Sequence, residues 1–143
     1  MRIQPEMTDY MDEWYTISYS VSLGLAGIFF TLFTVIYALI DNKQATISLL
    51  EDLRRQGKAT PPQLRDISYW NKFVTAFQKT NIHVLILLGI SIVLCIVFII
   101  LKLWKIQYPW LTIGLIILEV GMVVYMAFVL IQFIKSYFDR LED

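Results

Sequence analysis

The feature that most constrains this chain is an apolar run from Pro109 to Ile134, in which Glu119 is the only charged residue. About 20 apolar residues in an α-helix cross the roughly 30 Å hydrocarbon core of a bilayer. Hydrophobic residues make up 57% of the 143 residues, more than a soluble domain of this size uses. The run therefore predicts a membrane protein with a carboxyl group near the middle of one transmembrane helix.

Two further apolar runs, residues 17–40 and 82–101, are also long enough to span a bilayer. We therefore predict an all-α membrane protein with three transmembrane helices and a cytoplasmic helical hairpin between the first and second. The chain forms a single membrane domain, residues 1–143. Its predicted parts are an external amphipathic helix (1–16), a first span (17–40), the hairpin (41–81), a second span (82–101), a third span (109–134) and a cytoplasmic tail (135–143).

The tip of the hairpin carries recognisable helix-end signals. Gly57 is suited to end the first arm, because glycine adopts the left-handed conformation of a helix C-cap. Thr60 is a predicted N-cap, Pro61 fits the first helical position, and Gln63 completes a capping box. These signals predict two helical arms joined by a short turn.

The basic residues predict the orientation. Residues 41–81 hold seven of the twelve Lys and Arg residues, so the positive-inside rule places the hairpin and the C-terminus in the cytoplasm. Trp14, Trp104 and Trp110 then all lie at the outer interface, where tryptophan is enriched. We therefore expect the lipid bilayer to be the immediate partner, in a plasma (inner) membrane, with the N-terminus outside.

Small residues recur along the first span in alternating steps of four and three. This pattern is typical of a close-packed, left-handed helix pair in lipid. The seam consists of Ser20, Gly24, Gly27, Thr31, Thr34 and Ala38. Gly114 and Gly121 form a second small-residue face on the third span, nearly opposite Glu119. The neighbour of each face is either another span of the same chain or a second copy, and this second face favours a homo-oligomer.

Glu119 allows two interpretations. No Lys or Arg lies within a span, and an ionised carboxylate at mid-membrane costs roughly 3 kcal/mol on insertion scales. In one interpretation Glu119 is neutral and fixes helix packing by donating a hydrogen bond to a hydroxyl such as that of Thr31 or Ser91. In the other it handles ions or protons in a pore or at a subunit interface, with Thr112, Thr31 and Ser91 nearby. Thr112, Met122 and Met126 share its helical face.

The hairpin also allows two interpretations. It is either a spacer that holds two spans in register or a docking surface for a soluble partner. Tyr69, Trp70 and Phe73 broaden its apolar face beyond what one partner arm covers, and they are the candidate docking residues.

Other kinds of chemistry lack support in the sequence. Cys95 and His83 are the single cysteine and the single histidine, so no intrachain disulfide and no cysteine–histidine metal cluster is expected. Phosphate-binding loops, nucleophile elbows and dinucleotide fingerprints are not found. Charges balance at twelve of each sign, which gives no reason to expect nucleic acid. We therefore expect no enzyme, no cofactor and no metal.

Two functional hypotheses follow. The first is a homo-oligomeric membrane pore or channel-like protein, with Glu119 as a mid-membrane ion- or proton-handling group. The second is an accessory or assembly subunit that docks a cytoplasmic protein through its hairpin, with Glu119 structural.

Overall fold

The computed structural model describes residues 5–106 and 108–138, with side chains from 10–106, 108–132, 134 and 135. The described chain is all-helical: α1 (Pro5–Arg55), α2 (Pro61–Leu103) and α3 (Pro109–Phe138). In this described part, three helices are long and apolar enough to cross a membrane. The prediction of an all-α chain with three helices long and apolar enough to span a membrane is confirmed.

The predicted N-terminal helix, first span and first hairpin arm are one continuous helix. α1 runs for 51 residues without interruption, so the boundaries drawn at residues 16 and 40 are positions along a single helix. α2, with 43 residues, joins the second arm to the second span in the same way. Residues 1–4 and most of the predicted tail, 139–143, lie outside the described residues.

The ends of α1 and α2 share one capping geometry. Gly57 has φ +68°, and the Gly57 and Lys58 amides donate to the Arg54 and Leu53 carbonyls, both at 3.0 Å. This is a Schellman motif, and it confirms the predicted end of the first arm at Gly57.

At the start of α2, the Thr60 amide donates to Gln63 Oε1 at 2.9 Å, which is one half of the predicted capping box.

The end of α2 repeats the motif without glycine. Lys105 has φ +52°, its amide donates to the Lys102 carbonyl at 3.2 Å, and the Ile106 amide donates to the Leu101 carbonyl at 3.0 Å. Pro109 then begins α3, as predicted.

The chain divides into two compact units. The hairpin unit, residues 30–85, contains most of both arms. Its buried side chains lie on facing stripes: Ile36, Ile40 and Ile47 on α1, and Ile67, Phe73, Val74, Phe77, Asn81 and Val84 on α2.

The Glu119 unit comprises the described residues up to Phe29 and from Ile86 onward, drawn from all three helices. Its buried apolar residues are Tyr15, Ala26, Phe29, Leu87, Leu94, Phe98, Leu101, Met122 and Met126. Large apolar side chains such as Leu23, Val93 and Val124 are more than half exposed. Water disfavours such surface and lipid accepts it, so these residues fit a bilayer.

Candidate functional site

Glu119 is buried between α3 and α1. Only 5% of its surface is exposed, and its Oε1 accepts a hydrogen bond from the Ser22 hydroxyl, which is itself fully buried. The carboxyl group therefore lies inside the protein, on a face covered by α1 of the same chain.

A second polar contact joins the same two helices nearer the tryptophan-rich end. The buried Tyr15 hydroxyl donates to the Ile106 carbonyl at 2.6 Å. The Thr112 hydroxyl lies 3.2 Å from the Tyr15 oxygen and 3.3 Å from the Tyr108 carbonyl. Tyr15–Thr112 and Ser22–Glu119 both join residues 97 positions apart. The contacts therefore repeat every heptad between parallel helices, as in left-handed helix packing.

We call the buried hydroxyl residues of this interface the hydroxyl column, defined here as Tyr15, Ser18, Ser22 and Thr112, of which Ser22 is hydrogen-bonded to Glu119. Ser18 is buried on α1 between the two contacts. At the tryptophan-rich end of the column, Lys102 Nζ donates to the Thr16 hydroxyl at 2.7 Å.

The buried surface beyond Glu119 is different. The next buried side chains of α1 and α3 in the Glu119 unit are apolar: Ala26, Phe29, Met122 and Met126. On the described α1–α3 interface, the other buried polar groups therefore lie only between Glu119 and the tryptophan-rich end.

An open apolar groove runs beside the carboxyl group between α1 and α3. Its walls include Ile17, Val21, Ile116 and Val120, with Glu119 at its base and Trp14 at one end. A groove of this composition is accessible to lipid chains and to lipophilic reagents rather than to ions.

The structure brings together some of the predicted site residues. Thr112 and Glu119 lie on one buried face of α3 with Met122 and Met126, the residues predicted to share it. Thr31 is exposed and belongs to the hairpin unit. Ser91 is fully buried on α2, and its hydroxyl has no hydrogen-bond partner in the described part of the chain.

Ser22 is the functional residue that sequence reasoning missed. The signal that could have found it is its heptad spacing from Tyr15, which matches the spacing of Thr112 and Glu119 on α3.

The small-residue seam lies on the opposite side of α1. All six of its members, Ser20, Gly24, Gly27, Thr31, Thr34 and Ala38, are exposed. Gly114 and Gly121 on α3 are exposed as well, and a Cβ atom added at any of the four glycines would meet nothing within 4 Å. The role of these faces in helix packing stays a prediction that requires another molecule.

The candidate docking residues form part of an aromatic cluster in the hairpin. Phe73 is buried, and its ring lies 4.1 Å from Phe77 and 5.6 Å from Trp70, between ring centroids. Tyr69 packs edge-on against Trp70 at 5.0 Å, and Lys43 Nζ lies 3.7 Å from the centre of the Trp70 ring. Phe73 therefore packs inside the hairpin, while Tyr69 and Trp70 keep part of their surface exposed.

Searches of protein families, of curated proteins and of solved structures find no match to this chain. Within the described residues, no group of three His, Cys, Asp or Glu side chains is placed to hold a metal ion.

Proposed function

We propose that this protein is a homo-oligomeric, channel-like membrane protein in which Glu119 takes up and releases protons. The supporting observation is the hydroxyl column, whose buried hydroxyls lie between the tryptophan-rich end of the bundle and the buried Glu119 carboxyl group. Ionisable groups inside a membrane are functional candidates, because burying them is costly and neutral side chains pack as well.

The column has the chemistry that proton transfer requires. Each hydroxyl both donates and accepts a hydrogen bond, so it can receive a proton on one side and pass one on at the other. The two polar contacts lie about 10 Å apart along the helix axes, and Ser18 lies between them. Ser22 binds Oε1 of Glu119, which leaves the second carboxyl oxygen to carry the proton. By the positive-inside rule, this route opens to the outside.

Passage across the whole membrane needs a second route on the other side of Glu119. The buried α1 and α3 residues there are apolar, Phe29, Met122 and Met126, and supply no hydroxyl within one chain. A second copy packed on the exposed Gly114–Gly121 face would bring new groups alongside α3. We therefore propose an assembly of identical chains rather than a single chain.

The test is proton flux in liposomes that contain the purified protein, with Glu119→Gln as the diagnostic variant. The amide introduced by this substitution keeps an oxygen to accept from Ser22 but cannot carry a proton in the same way. Glu51→Gln, in the hairpin, is the matched control. We expect flux in the parent and in the control, and flux at the level of empty liposomes in Glu119→Gln. Equal flux in the parent and in Glu119→Gln would overturn the proposal.

The second candidate function is an accessory subunit of a membrane complex, favoured by the exposed parts of Tyr69 and Trp70. Native mass spectrometry in mild detergent separates the candidates, because identical chains alone indicate the homo-oligomer. A stoichiometric complex with different polypeptides, lost in Trp70→Ala but kept in Leu64→Ala, indicates the accessory subunit. Leu64 is a suitable control, since it is an exposed apolar residue of the same arm.

A further inference from the structure

The outward face of α1 in the hairpin unit carries acidic groups among small residues. The alternation of steps of four and three that defines the seam continues past Ala38. Its next members are Asp41, Ala45, Ser48, Asp52 and Arg55, and all five are exposed. The small side chains in the middle of this face allow another helix to approach closely, with Asp41 at one end and Asp52 beside Arg55 at the other.

The outward face of α2 in the same unit carries basic groups at matching intervals. Arg65, Lys72 and Lys79 are exposed and lie seven residues apart, which places them on one line along the helix. Their line is opposite the buried stripe that includes Ile67 and Val74. Tyr69, Ala76 and His83 lie between them on the same face, which contains no Asp or Glu.

The two faces present their charges at corresponding heights. A single groove between the arms is lined by α1 residues between Gln44 and Glu51 and by α2 residues between Asn71 and Gln78, so these stretches lie level. The arms are antiparallel, which places Asp41 within about a helical turn of the height of Lys79 and Asp52 within about one and a half turns of Arg65, a gap that the long Arg65 side chain can span. Lys72 lies within about a turn of the height of Ser48.

We propose that the outward face of α1 in one copy docks against the outward face of α2 in a second copy. The inference rests on the proposed function in one respect, that the protein works as an assembly of identical chains. Neighbours related by rotation about an axis normal to the membrane stand at the same height. Asp41 then meets Lys79, Asp52 meets Arg65, and the Lys72 side chain lies across Ser48.

This contact is head-to-tail rather than symmetric. The two faces belong to different arms and differ in charge, so every copy offers its α1 face to one neighbour and its α2 face to the other. Heterologous contacts of this kind close into rings when the rotation divides a full turn. Exposed ion pairs contribute little affinity, so here they select the neighbour and its register, and the small residues allow close approach.

The first test exchanges the charges. Asp41→Lys with Asp52→Lys puts like charges on both faces, and so does Arg65→Glu with Lys79→Glu. The fourfold variant restores opposite charges with reversed polarity. Glu51→Lys with Asp66→Lys is the control for charge reversal outside the two faces. Assembly mass is measured by native mass spectrometry of the full chain in mild detergent.

We expect the parent, the control and the fourfold variant to share one assembly mass and each double variant to fall to smaller species. A parent that is monomeric, double variants with the parental mass, or a fourfold variant that fails to recover would each overturn the inference.

A second test locates the contact by disulfide formation. Ser48→Cys and Lys72→Cys are introduced together in a Cys95→Ser background, and oxidation in native membranes should give a ladder of linked chains. Neither single variant should give that ladder, and its absence from the paired variant would overturn the proposed contact.

The two proposals fail in different ways. Recovery of assembly in the fourfold variant without Glu119-dependent flux would leave the interface standing and remove the proton-handling role. Glu119-dependent flux from double variants that keep the parental mass would leave the proton-handling role standing and remove the proposed interface.

Discussion

At the scale of single residues, the buried hydroxyls of the Glu119 unit differ in whether they have a partner. Ser22 donates to Glu119, whereas the Ser91 hydroxyl is fully buried and has no partner among the described residues. Removing the hydrogen-bond partner of a buried polar group lowers the free energy of unfolding, because the group stays buried without a bond. A buried polar group that has no partner already lowers it, so removing that group costs nothing further. The two serines should therefore respond in opposite ways to the same substitution.

Ser22→Ala should destabilise the fold by about 1 kcal/mol, because Glu119 would remain buried without its donor. Unfolding by denaturant in micelles measures the change. Ser20→Ala is the control, since Ser20 is exposed and its hydroxyl bonds to the Thr16 carbonyl of its own helix. A similar loss in both variants would contradict the assigned contact.

Ser91→Ala should leave stability unchanged or raise it by about 1 kcal/mol, because it removes a buried hydroxyl that has no partner among the described residues. The same unfolding assay applies. A loss as large as that of Ser22→Ala would show that the Ser91 hydroxyl makes a hydrogen bond in the membrane.

The sequence predicted which face of α3 carries Glu119, but not its partner on α1. Helical periodicity alone groups Thr112, Glu119, Met122 and Met126, and all four are buried together. Identifying Ser22 as the partner requires the axial offset between α1 and α3, which helical periodicity does not give. Counting the first span from Ile17 placed Thr31 level with Glu119, whereas the 97-residue offset places Ser22 there. Interfacial Trp and Tyr residues blur where a span begins, so depths counted from the start of a span can shift by several residues.

At the scale of elements, α1 shows why burial is hard to predict in lipid. The small-residue seam was the natural candidate for packing inside the chain, yet the described structure buries the face with Tyr15, Ser22 and Phe29. Lipid tails are as apolar as leucine, so hydrophobicity does not separate the inside from the outside of a membrane protein. Helix ends were easier to predict, because capping depends on local chemistry at Gly57, Thr60 and Pro109.

The two Schellman motifs give an element-scale prediction. An L-residue in the left-handed region is strained by roughly 1 kcal/mol, and glycine is not. Lys105→Gly should therefore raise stability by up to about 1 kcal/mol, and Gly57→Ala should lower it by a similar amount. A Cβ at Gly57 would meet nothing within 4 Å, so strain in the backbone is the cause tested there.

Thermal unfolding of both variants in the same detergent is the measurement. Changes of the same sign in Lys105→Gly and Gly57→Ala would contradict the assignment of strain to these φ angles.

At the scale of the whole molecule, each unit has exposed faces that its own helices do not cover. The Glu119 unit exposes large apolar residues and a glycine face, and the hairpin unit exposes an acidic and a basic face. Composition and periodicity predicted the three helices that are long and apolar enough to cross a membrane. The proposed pairing of charged faces could not be predicted, because it depends on which sides of the two arms remain uncovered once they pack together.

The central claim is that Glu119 exchanges a proton while buried in the bundle. Infrared spectroscopy of the reconstituted protein across pH, with the spectrum of Glu119→Gln subtracted, isolates the carboxyl stretch of this one residue. We expect a protonated carboxyl band that is lost as pH rises and returns when pH is lowered. A band that stays constant across the pH range in which the protein remains folded would contradict the claim and leave Glu119 as a structural hydrogen-bonding group.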